Sequence, residues 1–231
     1  MKIEKELGTI AALRELINGF DYGEALVILP KGKDDIELRY MHWEFIPEWI
    51  RDAGSLTESR KKGIPLLNAT AEKLLSSKMF KDAALKRRCL VPASHFYDWR
   101  HYKIPGEKKE TAFPYCVKLK DTEYFYMAAI WQPWTDKETG EHLETFAIVT
   151  TEANNIMSRV HNKKHRMPVI LTEEFAYEWI FADLSEERIH QIASFQYPSE
   201  EMDAYTIRKD FKITDDPLAA FEYEMLPSLN Y

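Results

Sequence analysis

Residues 86–99 read Lys86-Arg87-Arg88-Cys89-Leu90-Val91-Pro92-Ala93-Ser94-His95-Phe96-Tyr97-Asp98-Trp99. Three cations lead into a short apolar run that is typical of a buried strand and is interrupted by Pro92. The stretch ends on Asp98, an acid between two large aromatic residues. Apolar neighbours disfavour the ionised form of a carboxylate, which prepares an acid for proton transfer. Taken alone, the stretch favours a simpler interpretation, an acid hydrogen-bonded to a backbone amide at a strand end.

A second stretch, residues 146–171, places a histidine between two apolar strands. Residues 146–151 are rich in β-branched residues and predict a buried strand, and residues 152–157 suit a short helix. Residues 160–171 form a basic turn that contains His161 and leads into another apolar strand. Functional loops usually lie between core strands in this way. The stretch therefore makes His161 a candidate functional residue.

The composition is that of a globular protein. The chain has 231 residues, of which 45% are hydrophobic, and this length fits one domain, residues 1–231, better than two. We expect no transmembrane segment and no signal peptide, because no apolar run is long enough and the first residues are charged. The two cysteines, Cys89 and Cys116, lie in apolar runs. They predict reduced, buried, structural thiols in a cytoplasmic protein.

The charge distribution leaves nucleic-acid binding open. The formal net charge of -7 argues against a protein that coats nucleic acid, but a local basic face is what matters. Scattered solvated charge is the usual explanation of one basic run. Three such runs lie beside the two stretches above, which favours a basic face there: residues 86–88, 100–103 and 163–166.

The remaining periodicity predicts the α+β class. We expect an amphipathic helix over residues 3–17, strands over 25–29 and 37–43, a polar loop over 51–63, and a helix capped by Ser77. Residues 114–120 and 124–131 predict a hairpin around 121–123. Helices are expected to begin at Thr172 and Ser185, and a late strand spans 204–208.

Five short motifs are spread along the chain. They are Arg87-Arg88-Cys89-Leu90-Val91-Pro92-Ala93 with Phe96-Tyr97-Asp98-Trp99, and Trp43-Glu44-Phe45-Ile46-Pro47-Glu48-Trp49, Leu67-Asn68-Ala69-Thr70-Ala71-Glu72, Thr150-Thr151-Glu152-Ala153-Asn154, and His161 with Arg166-Met167-Pro168-Val169-Ile170-Leu171. Each is weak alone, but between about residues 18 and 182 they occur in the order of the SOS response-associated peptidase (SRAP) family, which the chain resembles.

The resemblance implies a twisted, barrel-like antiparallel sheet with flanking helices, and action on abasic sites in single-stranded DNA in the DNA damage response. It implies that Asn68 positions the amine or sugar, that Asp98 moves protons, and that His161 acts as acid or base on the sugar hydroxyl. Without the resemblance, Asn68 would be interpreted as a cap and His161 as a histidine at a helix C-terminus. The DNA-contact candidates are Arg87, Arg88, Lys164, Arg166, Trp43, Pro47 and Trp99. We expect a monomer without metal or cofactor.

The family chemistry uses a cysteine that becomes the first residue once the initiator methionine is removed. Its α-amine condenses with the sugar aldehyde and its thiol closes a thiazolidine, which gives a stable DNA–protein crosslink. Here Met1 is followed by Lys2, and we expect the sequence ahead of Ile17-Asn18-Gly19-Phe20 to be too short to supply the family's first strand. Three explanations stand: a start placed too far downstream, a paralogue that has lost the nucleophile, or a different chemistry.

Two more departures favour the paralogue. The family acid is usually a glutamate where this chain has Asp98, and the family's Asn-Ala-Arg is Asn68-Ala69-Thr70. The rival function is a DNA-binding module that holds single strands without crosslinking. His161 and His165 have a metal-like spacing, but a basic turn is a poor cation site. A Ser-His-Asp hydrolase is not excluded by composition, although no Gly-x-Ser-x-Gly motif supports it.

Overall fold

The computed structural model describes residues 16–63 and 66–229. The helix expected over residues 3–17 therefore lies, up to residue 15, outside the described residues. The strands are β1 (Glu24–Gly32), β2 (Asp35–Trp43), β3 (Asn68–Thr70), β4 (Arg88–Ala93), β5 (Phe96–Tyr102), β6 (Thr111–Leu119), β7 (Phe125–Thr135), β8 (His142–Glu152), β9 (Arg166–Pro168), β10 (Ile170–Leu171) and β11 (Met202–Thr206). The helices are α1 (Ala53–Lys61), α2 (Ala71–Leu74), α3 (Lys81–Lys86), α4 (Asn155–Val160), α5 (Glu173–Phe181) and α6 (Glu186–Ala193).

Five strands close into a barrel. They pair in the order β7, β4, β1, β2 and β8, and β8 pairs again with β7. The pairings are antiparallel except for β2–β8, while β3 adds a second parallel pairing to β8. Closure leaves these five strands no free edge in the ring. The predicted α+β, barrel-like architecture with flanking helices is confirmed.

A second, three-stranded sheet lies beside the barrel in the order β11, β6 and β5. The chain passes from the barrel to this sheet between β4 and β5, at Ser94 and His95. The opening stretch of the sequence analysis therefore connects the two sheets. Its first half lies in the barrel, and Asp98 lies on β5, opposite Tyr115 of β6.

The two faces of the barrel strands contribute to separate hydrophobic cores, as the alternation of side chains along a strand requires. Ile28 of β1 and Leu90 of β4 belong to a core shared with α3, α5 and α6. Their neighbours Val27 and Val91 belong to a core shared with β6 and α4. The second core joins the barrel to the three-stranded sheet, and so fixes the position of β5.

Side-chain caps explain where three of the helices begin. Asn154, Thr172 and Ser185 each accept a hydrogen bond from the backbone amide three residues on, at the starts of α4, α5 and α6. The two helices predicted to begin at Thr172 and Ser185 are confirmed. The helix predicted over residues 152–157 lies three residues later, because Asn154 is its cap.

Three predictions about local structure are wrong. Residues 51–63 are not a loop, since α1 lies there and Asp52 caps it by accepting from Ser55 N at 2.7 Å. Its mostly solvated surface, with Leu56 as the buried residue, explains the polar sequence. Ser77 does not cap α3, which begins at Lys81 without a side-chain cap.

The predicted hairpin around residues 121–123 is the third error. Both strands exist, but β6 pairs with β5 and β11, whereas β7 pairs with β4, β8 and β10. The connection is thus a crossing between sheets. A short polar turn between two apolar runs does not distinguish these two arrangements.

Candidate active site

Asp98 is held in a largely buried position on β5. Its Oδ1 accepts a hydrogen bond from the backbone amide of Trp99 at 2.7 Å, and its side chain is 18% exposed. Burial raises the pKa of Asp98, while His161, the Trp99 amide and His101 act in the opposite direction. The net shift is upward, so the environment favours the protonated acid more than water does.

His161 lies where α4 ends, with its ring 3.5 Å from Asp98, measured from Nδ1 to Oδ2. The same nitrogen is 2.9 Å from the backbone carbonyl oxygen of Arg166. A carbonyl can only accept, so Nδ1 carries the proton of this hydrogen bond. In the neutral ring the lone pair is then on Nε2, which is the nitrogen available as a base.

Asn162 connects the loop that carries His161 to the strand that carries Asp98. Its Oδ1 accepts from His101 N at 2.9 Å and its Nδ2 donates to His101 O at 2.8 Å. One amide side chain thus takes the place of a neighbouring strand for one residue of β5. Lys163 adds an ion pair with Glu110 in the β5–β6 connection. Sequence analysis missed Asn162, because an asparagine in a turn has no distinctive pattern.

Asn68 begins β3, which runs parallel to β8 in the register Asn68 to Ile148. The structure therefore places it in a strand and not in a cap. Asn68, Asp98 and His161 line one cavity of about 1480 Å³, although they come from three separate parts of the chain. The sequence prediction that these three side chains share a cleft agrees with this geometry.

The predicted DNA-contact residues divide into two groups. Four of them line the cavity: Trp43, Trp99, Lys164 and Arg166. Trp43 is also a packing residue, because its ring stacks on Phe146 and its Nε1 donates to Leu67 O at 3.0 Å. Trp99 is 39% exposed.

The structure does not place Arg88 where it could contact DNA. It is buried, at 9% exposure, and its guanidinium donates to the carbonyl oxygens of Ala84, Leu85, Trp179 and Ala182. Through these contacts the guanidinium donates to carbonyl oxygens at the C-terminal ends of α3 and α5, which lack partners within their helices. Arg88 is therefore a structural residue that cannot reach a phosphate.

Arg87 and Pro47 are also misplaced by the sequence prediction. Arg87 forms an ion pair with Asp82 and donates to Trp131 O, and it does not line the cavity. Pro47 is buried and does not line it either. The exposed aromatic side chain of that loop is Trp49, at 60%. The motif was assigned correctly, but its buried and exposed positions were not.

Charges of both signs line the cavity. Arg166 donates to both carboxylate oxygens of Glu72, at 2.7 and 3.0 Å, and to Thr150 O. A phosphate would have to compete with Glu72 for this cation. The other cationic lining residues are Lys73, Lys164 and Lys212, and the other acidic ones are Asp98, Glu123, Asp215 and Asp216.

Both cysteines are buried, and metal-ligating side chains do not cluster among the described residues. Cys89 and Cys116 are 0% and 1% exposed, are not paired with each other, and have their thiol pKa raised by burial. Across residues 16–63 and 66–229, no group of three or more His, Cys, Asp or Glu side chains is arranged to hold a metal ion. In the same ranges, no helix is long and apolar enough to cross a membrane.

Comparison with known proteins places this geometry in a family. The family model described as SOS response associated peptidase (SRAP) matches residues 7–213. The chain belongs to this family. The SRAP match extends beyond the motifs found between residues 18 and 182, at both ends.

Two similar proteins are both named abasic site processing proteins. The chain is 31% identical over 182 residues to abasic site processing protein YoqW of Bacillus subtilis, covering 79% of this chain and 74% of that protein. It is 27% identical to abasic site processing protein YedK of Escherichia coli, covering 74% and 68%. A crystal structure of a Bacteroides thetaiotaomicron protein aligns with a TM-score of 0.75 and 35% identity, over 88% of this chain and 81% of that one.

Proposed function

We propose that this SRAP protein processes abasic sites in single-stranded DNA and that the cavity holds the lesion. The observation that carries the proposal is the convergence of Asn68, Asp98 and His161 on that cavity, with Asp98 and His161 3.5 Å apart. The names of the related proteins support the same substrate. The site pairs an acid whose pKa is raised by burial with an imidazole whose Nε2 is available to accept a proton.

These groups suit imine chemistry at an abasic sugar. Ring opening exposes an aldehyde, and an amine adds to its carbon to give a carbinolamine. His161 would take the proton from the attacking or ring-opening group, and Asp98 would protonate the hydroxyl that leaves as water. Asn68 would hold the sugar or amine through its amide. If the amine belongs to an N-terminal cysteine, its thiol adds to the imine carbon and forms a thiazolidine.

The crosslinking and autopeptidase steps need that cysteine. In the autopeptidase step, Asp98 would transfer protons while water cleaves the bond after the initiator methionine. Neither buried internal cysteine supplies an accessible thiolate. An alternative function for the same cavity is non-covalent binding of single-stranded DNA by a paralogue that does not crosslink. The departures at Asp98 and Thr70 favour this alternative.

Binding to labelled oligonucleotides tests the proposal. We expect tighter binding to single-stranded than to blunt duplex DNA, tighter binding with an abasic site than without one, and weakening between about 50 and 200 mM salt through counterion release. Equal affinity for all DNA forms, or no binding, would contradict it. Adduct formation that survives denaturation without reductant separates the crosslinking function from the reversible one.

A further inference from the structure

One wall of the cavity is formed by His95, Tyr97 and Trp99, which we call the β5 aromatic wall. Side chains alternate along a strand, so Tyr97 and Trp99 of β5 lie on the face opposite to Asp98, and His95 lies in the connection just before β5. The contacts agree, because Tyr97 and Trp99 both pack against Phe211, with ring centroids 4.6 and 6.5 Å away. All three residues line the cavity. The cavity thus extends past both faces of β5.

This wall is polar without being charged. The His95 ring lies between two hydroxyl groups, with Nδ1 2.9 Å from Ser94 Oγ and Nε2 3.0 Å from Tyr97 OH. Burial lowers the pKa of His95, so the ring is neutral at pH 7. A neutral imidazole accepts at one nitrogen and donates at the other, and the two hydroxyls allow both orientations. The hydrogen-bonded series of Ser94, His95 and Tyr97 can therefore present either a donor or an acceptor to a ligand.

The size of the cavity leaves room for more than the lesion. Its volume of about 1480 Å³ exceeds the roughly 300–1,000 Å³ of pockets that enclose a drug-sized molecule. An abasic sugar has no base and is smaller than such a molecule. Lys164 lies three residues after His161 and is suited to phosphate, and a phosphate could compete with Glu72 for Arg166, whereas the β5 aromatic wall has no cation among its three residues. The ligand of the β5 aromatic wall must therefore be a part of the DNA strand other than its phosphates.

We propose that the β5 aromatic wall is a subsite for the unpaired nucleobase next to the abasic site. The inference rests on the function proposed above. The half-exposed ring of Trp99 stacks on the base, and the His95–Tyr97 pair hydrogen-bonds to its edge. Because the pair can donate or accept, the subsite detects that a base is present without selecting one base. Phe211 is buried and packs against the rings of Tyr97 and Trp99, which restricts their motion.

The test compares two single-stranded oligonucleotides with the same number of phosphates. Both carry a tetrahydrofuran abasic analogue, and in the second the adjacent bases are also replaced by base-free sugars. We expect the protein to bind the first DNA about 5- to 100-fold more tightly, the range for one stacked base. Trp99→Leu should remove most of this difference. Tyr97→Phe, which keeps the ring against Phe211, should reduce it by several-fold.

Lys164→Met is the matched control, because it should weaken binding to both DNAs equally and leave their ratio unchanged. A circular dichroism melt establishes that each variant is folded. If the protein binds both DNAs with equal affinity, the subsite is wrong while the proposed function stands. An equal loss on both DNAs in folded Trp99→Leu and Tyr97→Phe overturns it as well. If neither DNA is bound, the proposed function itself fails.

Discussion

The carboxylate of Asp98 lies 3.5 Å from the ring of His161, although the two residues belong to different parts of the fold. Asp98 is on β5 of the three-stranded sheet, and His161 ends the helix that precedes β9, which pairs with β8 of the barrel. The pair therefore spans the junction of the two sheets. Its geometry depends on how the sheets pack and on the contacts that cross between them.

Asp98→Asn is expected to abolish proton transfer and to stabilise the fold at neutral pH. General acid–base groups contribute about 10²–10⁴-fold, so formation of the borohydride-trapped imine on abasic DNA should fall by about that factor. Burial raises the pKa of Asp98, so the ionised carboxylate opposes folding. That cost is absent below the unfolded pKa of about 3.9 and grows as pH rises toward the folded pKa.

Urea unfolding at pH 7 and at about pH 4 measures this dependence. The variant should be more stable than the parent at pH 7, and the two should converge at the lower pH. Asp121→Asn, in the exposed connection between β6 and β7, is the control and should change neither quantity. A less stable Asp98→Asn at pH 7 would mean that attraction to His161 outweighs burial.

Arg88→Lys and Lys164→Met separate a structural cation from a DNA-contact cation. A lysine cannot replace the donors that Arg88 gives to four carbonyl oxygens, so Arg88→Lys should cost about 2–4 kcal/mol of unfolding free energy. The salt dependence of DNA binding should stay unchanged in the folded fraction. Lys164→Met should leave stability within about 0.5 kcal/mol and reduce the salt slope by about one. A reduced salt slope for Arg88→Lys would contradict the structural role.

The sequence predicted which residues share the cavity better than it predicted the positions of the cations. Asn68, Asp98 and His161 come from separate motifs, and all three line the cavity. Arg88 was misassigned because a buried arginine that caps helix ends has the same local sequence as an exposed one. The prediction of a β6–β7 hairpin was wrong for a similar reason, because the partners of a strand depend on long-range packing that a turn does not encode.

His95 is a different case. A single histidine in a strand-like run has no spacing signal, and its significance comes from Ser94, Tyr97 and the cavity. The caps Asn154, Thr172 and Ser185 act within three residues, and the two helix starts predicted from Thr172 and Ser185 were correct. The caps at Thr172 and Ser185 were thus predictable from local sequence, and the contacts of His95 were not.

Asn162→Asp is expected to loosen the connection between the two halves of the site. The change is isosteric, but it places a carboxylate oxygen against His101 O, where the amide donated at 2.8 Å. We expect a loss of about 1–3 kcal/mol in unfolding free energy and slower imine formation, with unchanged salt dependence of DNA binding. The same substitution at the exposed Asn155 of α4 is the control. Wild-type imine formation in a destabilised Asn162→Asp variant would limit Asn162 to a folding role.

The two cysteines provide the last prediction. Both thiols are buried and burial raises their pKa, so neither is an available nucleophile. A polypeptide that begins at Met1 should react with abasic single-stranded DNA through a lysine imine that appears on a denaturing gel only after borohydride trapping. Cys89→Ser and Cys116→Ser should leave this adduct unchanged.

If a Met-Cys start exists upstream, its restoration should give a heat-stable adduct without reductant, and changing that cysteine to alanine should remove it. A reductant-independent adduct formed by the polypeptide that begins at Met1, and lost in either serine variant, would identify an internal thiol as the nucleophile and overturn the proposed chemistry.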